Sequence, residues 1–416
     1  MKLGIHTLDD YQLKGKVVLC RVDINSPINH SDGRLKDATR IERCLPTIRE
    51  LSEKGAKTVL LAHQGGDLEY KNFASLVNHA GVLSELLGRP VKFIDDVCGP
   101  AARAGIKELN DGEILLLENV RYMSEEMTLF ETKLNLSAKD QSKTIVVSKL
   151  APLADLYVCD AFAAAHRSQP TLVGFEEVLP AAMGRLFEEE LSVLSSIVEK
   201  PGRPCLFILG GAKIQDAFII MSKVLAGGIA DEVLTGGLVS NIMLKAHGTD
   251  IGEPSAQFLK KNDLSVYIGQ AKQLISSFRD KIIIPEDLAY DEKGRQEVGV
   301  DHLPVAHLLT DIGHKTVKEY AGRIKKAKTI FINGPMGVFE KDETDYGTRS
   351  IWNAVADADA FSIIGGGDSI AAINKFGLKE KFSYICTAGG GLVRFLSGDE
   401  LPVVKALREG AVKFPL

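Results

Sequence analysis

The chain of 416 residues lacks any apolar run long enough to cross a bilayer. Its first six residues, Met1 to His6, also lack the apolar core of a signal peptide. A net charge of −5 leaves no basic surplus for nucleic acid. We therefore expect a cytoplasmic protein whose partners include neither a membrane nor nucleic acid.

Cysteine motifs are absent too. The six cysteines are scattered without a Cys-x-x-Cys pair, and several fall inside apolar strand-like runs. Such positions predict buried free thiols, which persist in a reducing compartment such as the cytoplasm.

Two common nucleotide-binding motifs are missing as well. The chain contains no G-x-x-x-x-G-K-[ST] loop of the P-loop type. It also lacks the G-x-G-x-x-G fingerprint with a distal acidic residue, which argues against a dinucleotide-dependent oxidoreductase, the alternative from another enzyme class.

Short apolar runs alternate with stretches of helical period along the whole chain. Most runs are continuous in Val, Ile and Leu, as in parallel strands that are buried on both faces. The predicted strands are 17–22, 58–62, 91–94, 114–117, 156–159, 205–209, 232–235, 282–284, 329–332, 361–364 and 383–386. The predicted helices between them include Thr39–Lys54, Phe187–Glu199 and Asp216–Leu225. This alternation predicts an α/β protein with two doubly wound, Rossmann-like parallel-sheet domains joined by a connecting helix.

The length exceeds what one hydrophobic core usually supports, so two domains are expected. Pro180 ends a loop, and a charged helix then leads to Pro201 and Gly202. We predict an N-terminal domain at 1–182, a connecting helix at 183–200 and a C-terminal domain at 201–395. The segment 396–416 contains a terminal helix and is expected to pack back towards the N-terminal domain, in a monomer or homodimer.

The strand ends of the first half carry charged and polar residues. Asp23 and Asn25 alternate with apolar residues and so share one face, while Arg40 follows good cap residues at a helix start. His63, Arg121 and Arg167 follow three further strands. Because ligands of open α/β sheets bind at the carboxyl ends of strands, this set predicts a site for a small anion. The alternative is that each arginine forms a structural salt bridge.

The strand ends of the second half carry glycine instead. Gly210-Gly211-Ala212-Lys213 and Gly365-Gly366-Gly367-Asp368-Ser369 each lie between a strand and a helix. Small residues let backbone N–H groups approach phosphates, and the lysine adds a point charge. Gly236 and Gly237 could form a flat wall for a base, so this half predicts a nucleotide site. The alternative is that each glycine pair only makes a tight strand-to-helix turn.

The motifs together resemble those of the phosphoglycerate kinase family, nearly from end to end. The resemblance rests on RVDINSP at 21–27, ENVR at 118–121, DAFAAAHR at 160–167, GGAK at 210–213, DIGHKT at 311–316, NGPMGVFE at 333–340, GGGDS at 365–369 and TAGGG at 387–391. The segments AHQG and AFAAAHRSQP are most similar to the archaeal branch of the family.

The resemblance implies roles for individual residues. It places the 3-phosphoglycerate site at Asp23, Asn25, Arg40, His63, Arg121 and Arg167. It places the nucleotide site at Lys213, Gly236, Gly237, Asn333, Glu340, Gly366, Gly367, Asp368 and Ser369, with Glu340 on the ribose. The catalytic set would be Arg40, Lys213, Gly366 and Gly367, and Asp368 would lie near a nucleotide-bound Mg²⁺.

The implied reaction is reversible phosphoryl transfer between ATP and the carboxylate of 3-phosphoglycerate, a step of glycolysis and gluconeogenesis that gives ADP and 1,3-bisphosphoglycerate. The two sites lie on separate domains, so the domains are expected to close and exclude water during transfer.

The chain departs from the family pattern at two positions. The usual His-x-Gly-Arg becomes His63-Gln64-Gly65-Gly66, so one arginine of the acceptor site is missing, and a lysine often found four residues after Lys213 is Ala217. The first departure keeps two alternatives open, a kinase for another phosphorylated carboxylate and a non-catalytic binding relative.

Overall fold

The computed structural model describes residues 1–66 and 73–416, which form two compact units. Unit 1 comprises Met1–Val193 and Glu400–Leu416, and unit 2 comprises Leu194–Asp399. Across the described residues, no helix has the length and apolar character that a bilayer crossing requires.

Unit 1 is built on a six-stranded parallel sheet with the strand order β3-β4-β2-β1-β5-β6. Its strands are β1 (Val17–Arg21), β2 (Lys57–Leu61), β3 (Val91–Ile94), β4 (Ile114–Leu117), β5 (Leu156–Cys159) and β6 (Ala181–Met183). Its helices are α1 (Thr39–Glu53), α2 (Val77–Leu87), α3 (Pro100–Lys107), α4 (Thr128–Leu134), α5 (Ala138–Gln141), α6 (Ile145–Leu150), α7 (Pro170–Val173), α8 (Arg185–Glu199) and α17 (Pro402–Lys413). Helix α8 starts in unit 1 and ends in unit 2.

Unit 2 contains a second six-stranded parallel sheet, ordered β15-β14-β13-β7-β8-β9. The strands of the unit are β7 (Cys205–Leu209), β8 (Glu232–Thr235), β9 (Ile282–Ile283), β10 (Asp287–Asp291), β11 (Arg295–Gly299), β12 (Leu309–Ile312), β13 (Thr329–Asn333), β14 (Phe361–Gly365) and β15 (Tyr384–Cys386). Its other helices are α9 (Ile214–Ala226), α10 (Gly237–His247), α11 (Glu253–Lys261), α12 (Ile268–Phe278), α13 (His314–Ile324), α14 (Tyr346–Ala356), α15 (Gly367–Lys375) and α16 (Gly390–Leu396).

Burial explains why the apolar runs form the central strands. Every residue of β7 and β13 is buried, as are all of β1 except Val17. Parallel strands covered by helices on both faces need such uninterrupted apolar sequence. Each predicted run forms a strand, and the prediction of two α/β parallel-sheet domains is confirmed. The six cysteines are all buried, and none of them forms a disulfide bond.

The chain order reverses next to the first strand of each sheet. In unit 1, β1 lies between β2 and β5, and in unit 2, β7 lies between β13 and β8. Crevices at such reversals, at the carboxyl ends of the strands, are where open α/β sheets bind ligands. Ligands are therefore expected at the loops that follow β1, β2, β4 and β5 in unit 1 and β7, β8, β13 and β14 in unit 2.

Two features of the fold were not predicted from the sequence. Strand β6 has only three residues, and a three-stranded antiparallel sheet with the order β11-β10-β12 lies within unit 2. Strand β11 is mostly polar and partly exposed, so it lacks the apolar run on which the other predictions depend.

Candidate functional site

The acceptor residues that the sequence suggests lie at the carboxyl ends of the unit 1 strands. Asp23 and Asn25 follow β1, His63 follows β2, Arg121 follows β4, and Arg167 follows β5. Arg40 is the second residue of α1, and its Nη1 forms an ion pair with Oδ2 of buried Asp23. The structure thus brings this set together at one edge of the sheet.

His63 is the buried centre of the arginine set. Burial, followed by the positive charges of Arg21, Arg121, Arg40 and Arg167, lowers the pKa of His63 well below its usual 6.5. The Nη2 group of Arg21 lies 3.1 Å from Nδ1 of His63. Because a guanidinium can only donate, Nδ1 accepts and the ring proton resides on Nε2. His63 is therefore a neutral imidazole that presents an N–H donor.

Arg21 makes all of its described hydrogen bonds within the protein. It is only 1% exposed, its Nε donates to Oγ1 of Thr171 at 3.1 Å, and its Nη1 donates to the carbonyl oxygen of Val22 at 2.7 Å. Glu126 accepts from the same Thr171 through both carboxyl oxygens, and burial raises the pKa of Glu126 to about 7. Arg21 is thus a buried support for His63.

The other arginines combine protein contacts with a position at the strand ends. Arg121 donates from Nη1 to the carbonyl oxygen of Glu126 at 2.9 Å. Arg167 contacts Thr128 and lies 3.7 Å from Oε2 of Glu131, with 27% of its side chain exposed. Arg40 keeps 37% of its side chain exposed. Arg40 and Arg167 thus form the salt bridges of the structural alternative, yet both side chains also stay partly exposed to a ligand. Arg21 forms hydrogen bonds within the protein instead.

A cavity of about 490 Å³ adjoins this set and is lined by two side chains that the sequence interpretation missed. His30 and Lys36 line it together with Asn25, Arg40, Gly65 and Gly66. Residues Ile28 and Leu35 pair as an antiparallel bridge, and the N–H of Lys36 donates to the carbonyl oxygen of Pro27 at 2.8 Å. This fold-back returns Lys36 to the loop after β1, and no strand-end pattern signals it. Lys71, a base five residues after Gly66 that could also supply charge to the acceptor site, lies outside the described residues.

The glycine-rich loops of unit 2 enclose a polar cleft at the reversal between β7 and β13. The cleft is lined by Gly210, Gly211, Ala212, Lys213, Asn333, Gly334, Gly366, Gly367, Asp368 and Ser369. Helices α9 and α15 begin at this cleft. Free N–H groups and the positive end of the helix dipole at such N-termini favour a bound anion.

Some glycines are required by contacts between the loops themselves. A Cβ on Gly334, whose φ is +93°, would lie 2.1 Å from the carbonyl oxygen of Gly210. A Cβ on Gly236 would lie 2.6 Å from the sulfur of Met336, so Gly236 faces the protein. Gly367 differs, because a Cβ there would meet no described atom within 4 Å. Tight packing accounts for the first two positions, and open space at Gly367 leaves room for a ligand.

A more apolar pocket of about 230 Å³ adjoins the polar cleft and shares Gly211, Ala212 and Asp368 with it. Its further lining residues are Gly237, Leu238, Phe258, Leu308, Leu309, Thr310, Pro335, Gly337, Val338, Phe339 and Glu340. Lys375 holds the edge of this pocket by donating from Nζ to the carbonyl oxygen of Phe339 at 2.9 Å. A polar cleft next to an apolar pocket matches the phosphates and the base of a nucleotide.

Three charged side chains of this site have no partner among the described residues. Lys213, Glu340 and Asp368 are exposed, and no hydrogen bond or ion pair engages their charged groups. Ser369 is instead buried, and its hydroxyl accepts from the N–H of Gly334 at 2.7 Å, which ties the loop after β14 to the loop after β13.

Ala217, where the family often has a lysine, is 1% exposed, so this position of α9 faces the core of the unit.

The comparisons with known proteins agree with this geometry. Residues 8–399 match the family model described as phosphoglycerate kinase. The chain belongs to the phosphoglycerate kinase family. The family resemblance that the motifs suggested is thereby confirmed.

Individual members of the phosphoglycerate kinase family match over almost their full length. The phosphoglycerate kinase of Methanothermobacter thermautotrophicus is 46% identical over 404 residues, covering 97% of this chain and 96% of the relative. The crystal structure of the phosphoglycerate kinase from Pyrococcus horikoshii shares 40% identity with a TM-score of 0.89, covering 99% of this chain and 100% of that one. The structure from Coxiella burnetii shares 31% identity with a TM-score of 0.81, covering 97% and 99%. The archaeal character of the motifs fits the first two relatives.

Proposed function

We propose that the chain catalyses reversible phosphoryl transfer between ATP and the carboxylate of 3-phosphoglycerate. The observation that carries this proposal is the set of Arg40, Arg121 and Arg167 around His63 at the carboxyl edge of the unit 1 sheet. A doubly charged phosphate and a carboxylate on one small molecule require several cations and N–H donors at short range. Arg40, Arg121 and Arg167 would supply the cations, and Asn25 and the Nε2–H of His63 would supply neutral donors.

Asp23 has an indirect role in this proposal. Its buried carboxylate pairs with Nη1 of Arg40 and accepts from the N–H of Asn25 at 3.3 Å. Two acceptor-site residues are therefore held by one carboxylate, which limits the conformations of the Arg40 side chain before a ligand binds.

The nucleotide is proposed to bind unit 2, with its phosphates in the polar cleft and its base in the adjoining apolar pocket. Lys213 supplies a cation, and the N-terminal amides of α15 at Gly366 and Gly367 supply donors. Asn333 and Ser369 order the loops around the phosphates, while Gly236 and Gly237 form the start of α10 beside the pocket. Glu340 stands at the pocket edge, where a ribose hydroxyl would meet it.

The chemistry of the acceptor explains why the proposed catalytic set contains no base. A carboxylate is already ionised at neutral pH, so it needs no proton removed before it attacks phosphorus. Arg40, Lys213 and the amides of Gly366 and Gly367 would stabilise negative charge on the phosphoryl group in transit. Since acceptor and nucleotide bind different units, we propose that closure of the units accompanies transfer and excludes water.

We propose that Mg²⁺ enters with the nucleotide. Among the described residues, no group of three or more His, Cys, Asp and Glu side chains could hold a metal ion by itself. Asp368 offers one free carboxylate beside the phosphate cleft, which fits a cation held mainly by phosphate oxygens. Bound Mg²⁺ would neutralise charge on the phosphates, and Asp368 would orient it.

The missing arginine at Gly66 bears on the identity of the acceptor. Gly66 lines the cavity that also contains Lys36 and Arg40, so we propose that Lys36 supplies part of the missing positive charge. The six buried cysteines, none of which forms a disulfide bond, support a cytoplasmic location, where a reducing environment prevents thiol oxidation.

A coupled assay for ADP formation tests the proposal. We expect turnover with 3-phosphoglycerate, ATP and Mg²⁺, and negligible ADP when the acceptor is left out. The same assay with 2-phosphoglycerate and phosphoglycolate tests for a kinase of another phosphorylated carboxylate. Preference for either of these would redirect the acceptor assignment, and no turnover with any of them would favour a non-catalytic relative.

A further inference from the structure

We propose that Gln64 is a positioning residue for the acceptor site, held in place by His79. The residue lies between His63 and Gly65 and lines the same cavity as Asn25 and Arg40, but its side-chain amide is engaged by Ser26 and His79. Its side chain instead fixes the loop after β1, which carries Asn25. The inference rests on the proposed function for the identity of the acceptor.

The side-chain amide of Gln64 holds both main-chain groups of Ser26. Its Nε2 donates to the carbonyl oxygen of Ser26 at 2.8 Å, and its Oε1 accepts from the N–H of Ser26 at 3.0 Å. Gln64 is 3% exposed, so these bonds are shielded from water. An amide is the neutral side chain that can donate and accept in this paired geometry.

His79, on α2, completes the arrangement. Its Nε2 lies 2.9 Å from Oε1 of Gln64, and the ring is 1% exposed. Because Oε1 can only accept, Nε2 must carry the proton. Burial lowers the pKa of His79 to about 4, so the ring is neutral near pH 7 and this N–H donor is retained. The bond fixes the orientation of the Gln64 amide.

The main chain of Gln64 is held separately by Asn119. The N–H of Gln64 donates to Oδ1 of Asn119 at 3.1 Å, and Nδ2 of Asn119 donates to the carbonyl oxygen of Gln64 at 2.9 Å. Oδ1 of Asn119 also accepts from the N–H of Arg121 at 3.0 Å. Hydrogen bonds therefore run from Ser26 through Gln64 to Arg121, across the loops after β1, β2 and β4.

The consequence for the site lies at Asn25. Its Oδ1 accepts from the N–H of Gly65 at 3.1 Å, so its Nδ2 is the end of the amide that is left for a ligand. Asn25 precedes Ser26, and Gly65 follows Gln64. The side-chain amide of Gln64 therefore sets the distance between Asn25 and Gly65. We infer that loss of this amide lets the loop after β1 move away from Arg121 and weakens acceptor binding.

The test is the Gln64→Leu variant of the full-length chain, which removes the amide while keeping a similar volume. We expect the KM for 3-phosphoglycerate to rise by about tenfold, as the loss of several buried hydrogen bonds would produce. The KM for ATP should stay within about twofold, since the nucleotide binds unit 2. His79→Phe removes the hydrogen bond to Oε1 of Gln64 and should raise this KM by a smaller factor. His79→Gln keeps an N–H donor and should have a KM close to that of the wild type.

Ser52→Ala is the matched control. Ser52 is buried in the same unit, and its hydroxyl donates to the carbonyl oxygen of Gly112 at the amino edge of the sheet. We expect this variant to lose stability without a change in the KM for 3-phosphoglycerate. An equal rise in KM for Ser52→Ala and Gln64→Leu would show a general effect of instability and would overturn the proposal, as would an unchanged KM in a folded Gln64→Leu protein.

Hydrogen exchange at Ser26 provides a second measurement that does not depend on the acceptor. The Ser26 amide should exchange faster in Gln64→Leu than in the wild type and at the wild-type rate in Ser52→Ala. Unchanged exchange in Gln64→Leu would contradict the proposal. If the wild type fails to use 3-phosphoglycerate, the proposed function fails, while this exchange experiment still decides whether Gln64 fixes the loop.

Discussion

At the scale of single residues, the arginines of unit 1 differ in what they are free to do. The three nitrogens of Arg21 contact Thr171, Val22 and His63, whereas much of the Arg40 side chain stays exposed. The charged residues at the predicted strand ends indicated an anion site, but the sequence did not distinguish these two arginines. Their difference depends on which residues the fold packs around each guanidinium, and local sequence does not contain that information.

Arg40→Ala should lower kcat by about 10²–10³, as the loss of one donor to developing charge typically does. The affinity for ATP should change much less, because the nucleotide is assigned to unit 2. Steady-state kinetics check this, with Arg49→Ala on the same helix as the control. Because Asp23 loses its ion-pair partner, Arg40→Lys should also be measured, and it should recover part of the rate. An unchanged kcat in Arg40→Ala would remove Arg40 from the catalytic set.

Asp368→Ala should raise the Mg²⁺ concentration needed for half-maximal rate, because the free carboxylate beside the phosphate cleft is lost. A Mg²⁺ titration at saturating ATP and acceptor measures the effect. Asp359→Ala serves as the control, since Asp359 is exposed and pairs with Lys328. Superimposable titrations for Asp368→Ala and the wild type would leave Asp368 without a role at the metal.

Gly66→Arg should lower the KM for 3-phosphoglycerate and leave kcat similar, because a charge-assisted hydrogen bond contributes about 1.5–3 kcal/mol. That range corresponds to roughly tenfold to hundredfold in affinity. Lys36→Ala should raise the same KM in the wild type and have a smaller effect in the Gly66→Arg background. Lys14→Ala, at another exposed lysine of unit 1, is the control. Equal effects of Lys36→Ala in both backgrounds would show that Lys36 does not substitute for the arginine.

At the scale of elements, apolar runs identified the central strands, and their limits agree with the structure to within one or two residues. Strand β6 was missed because Ala181, Ala182 and Met183 form too short a run to signal a strand. Strand β10 was missed because only three residues separate its terminal aspartates, too short a run to signal a strand, and β11 was missed because polar residues dominate it. The loop that returns Lys36 to Pro27, and the bonds between Gln64 and Ser26, depend on contacts that no periodic pattern encodes.

The C-terminal helix α17 packs over a carboxyl group that has no hydrogen-bond partner among the described residues. Glu176 is 2% exposed, both of its carboxyl oxygens lack such a partner, and a Cβ on Gly410 of α17 would lie 3.3 Å from its Cβ. Burial raises the pKa of Glu176 well above its usual 4.5. The folded protein therefore holds a neutral acid that ionises near pH 4.5 once the chain unfolds.

Since the folded pKa exceeds the unfolded pKa, Glu176 favours folding least at high pH, and stability should fall as the pH rises above about 4.5. Glu176→Gln should remove this dependence and raise the thermal midpoint at pH 8, with little change at pH 4. Each kcal/mol regained corresponds to about 2–4 °C for a domain of this size. Thermal unfolding from pH 4 to pH 8 measures this effect. Glu177→Gln is the control, because Glu177 forms an ion pair with Lys413. Parallel shifts of the thermal midpoint with pH in Glu176→Gln and the wild type would contradict this prediction.

At the scale of the whole molecule, the sequence indicated two α/β units and assigned a different ligand chemistry to each. Arginine and histidine at the strand ends of unit 1 suit a small anion, and glycine-rich loops with Lys213 in unit 2 suit a nucleotide. Motif order also indicated the family, because each motif lies at a strand end where the fold concentrates ligand contacts. The roles of individual residues remain predictions that the variants above can decide.

The most direct measurement of the central claim is chemical trapping of the product. Given ATP, Mg²⁺ and 3-phosphoglycerate, the protein should form an acyl phosphate on the carboxylate. Hydroxylamine in the reaction should then convert that product to the hydroxamate of 3-phosphoglycerate, with one ADP formed for each hydroxamate detected by mass spectrometry. ADP without hydroxamate, or no ADP at millimolar 3-phosphoglycerate, would contradict phosphoryl transfer to this carboxylate.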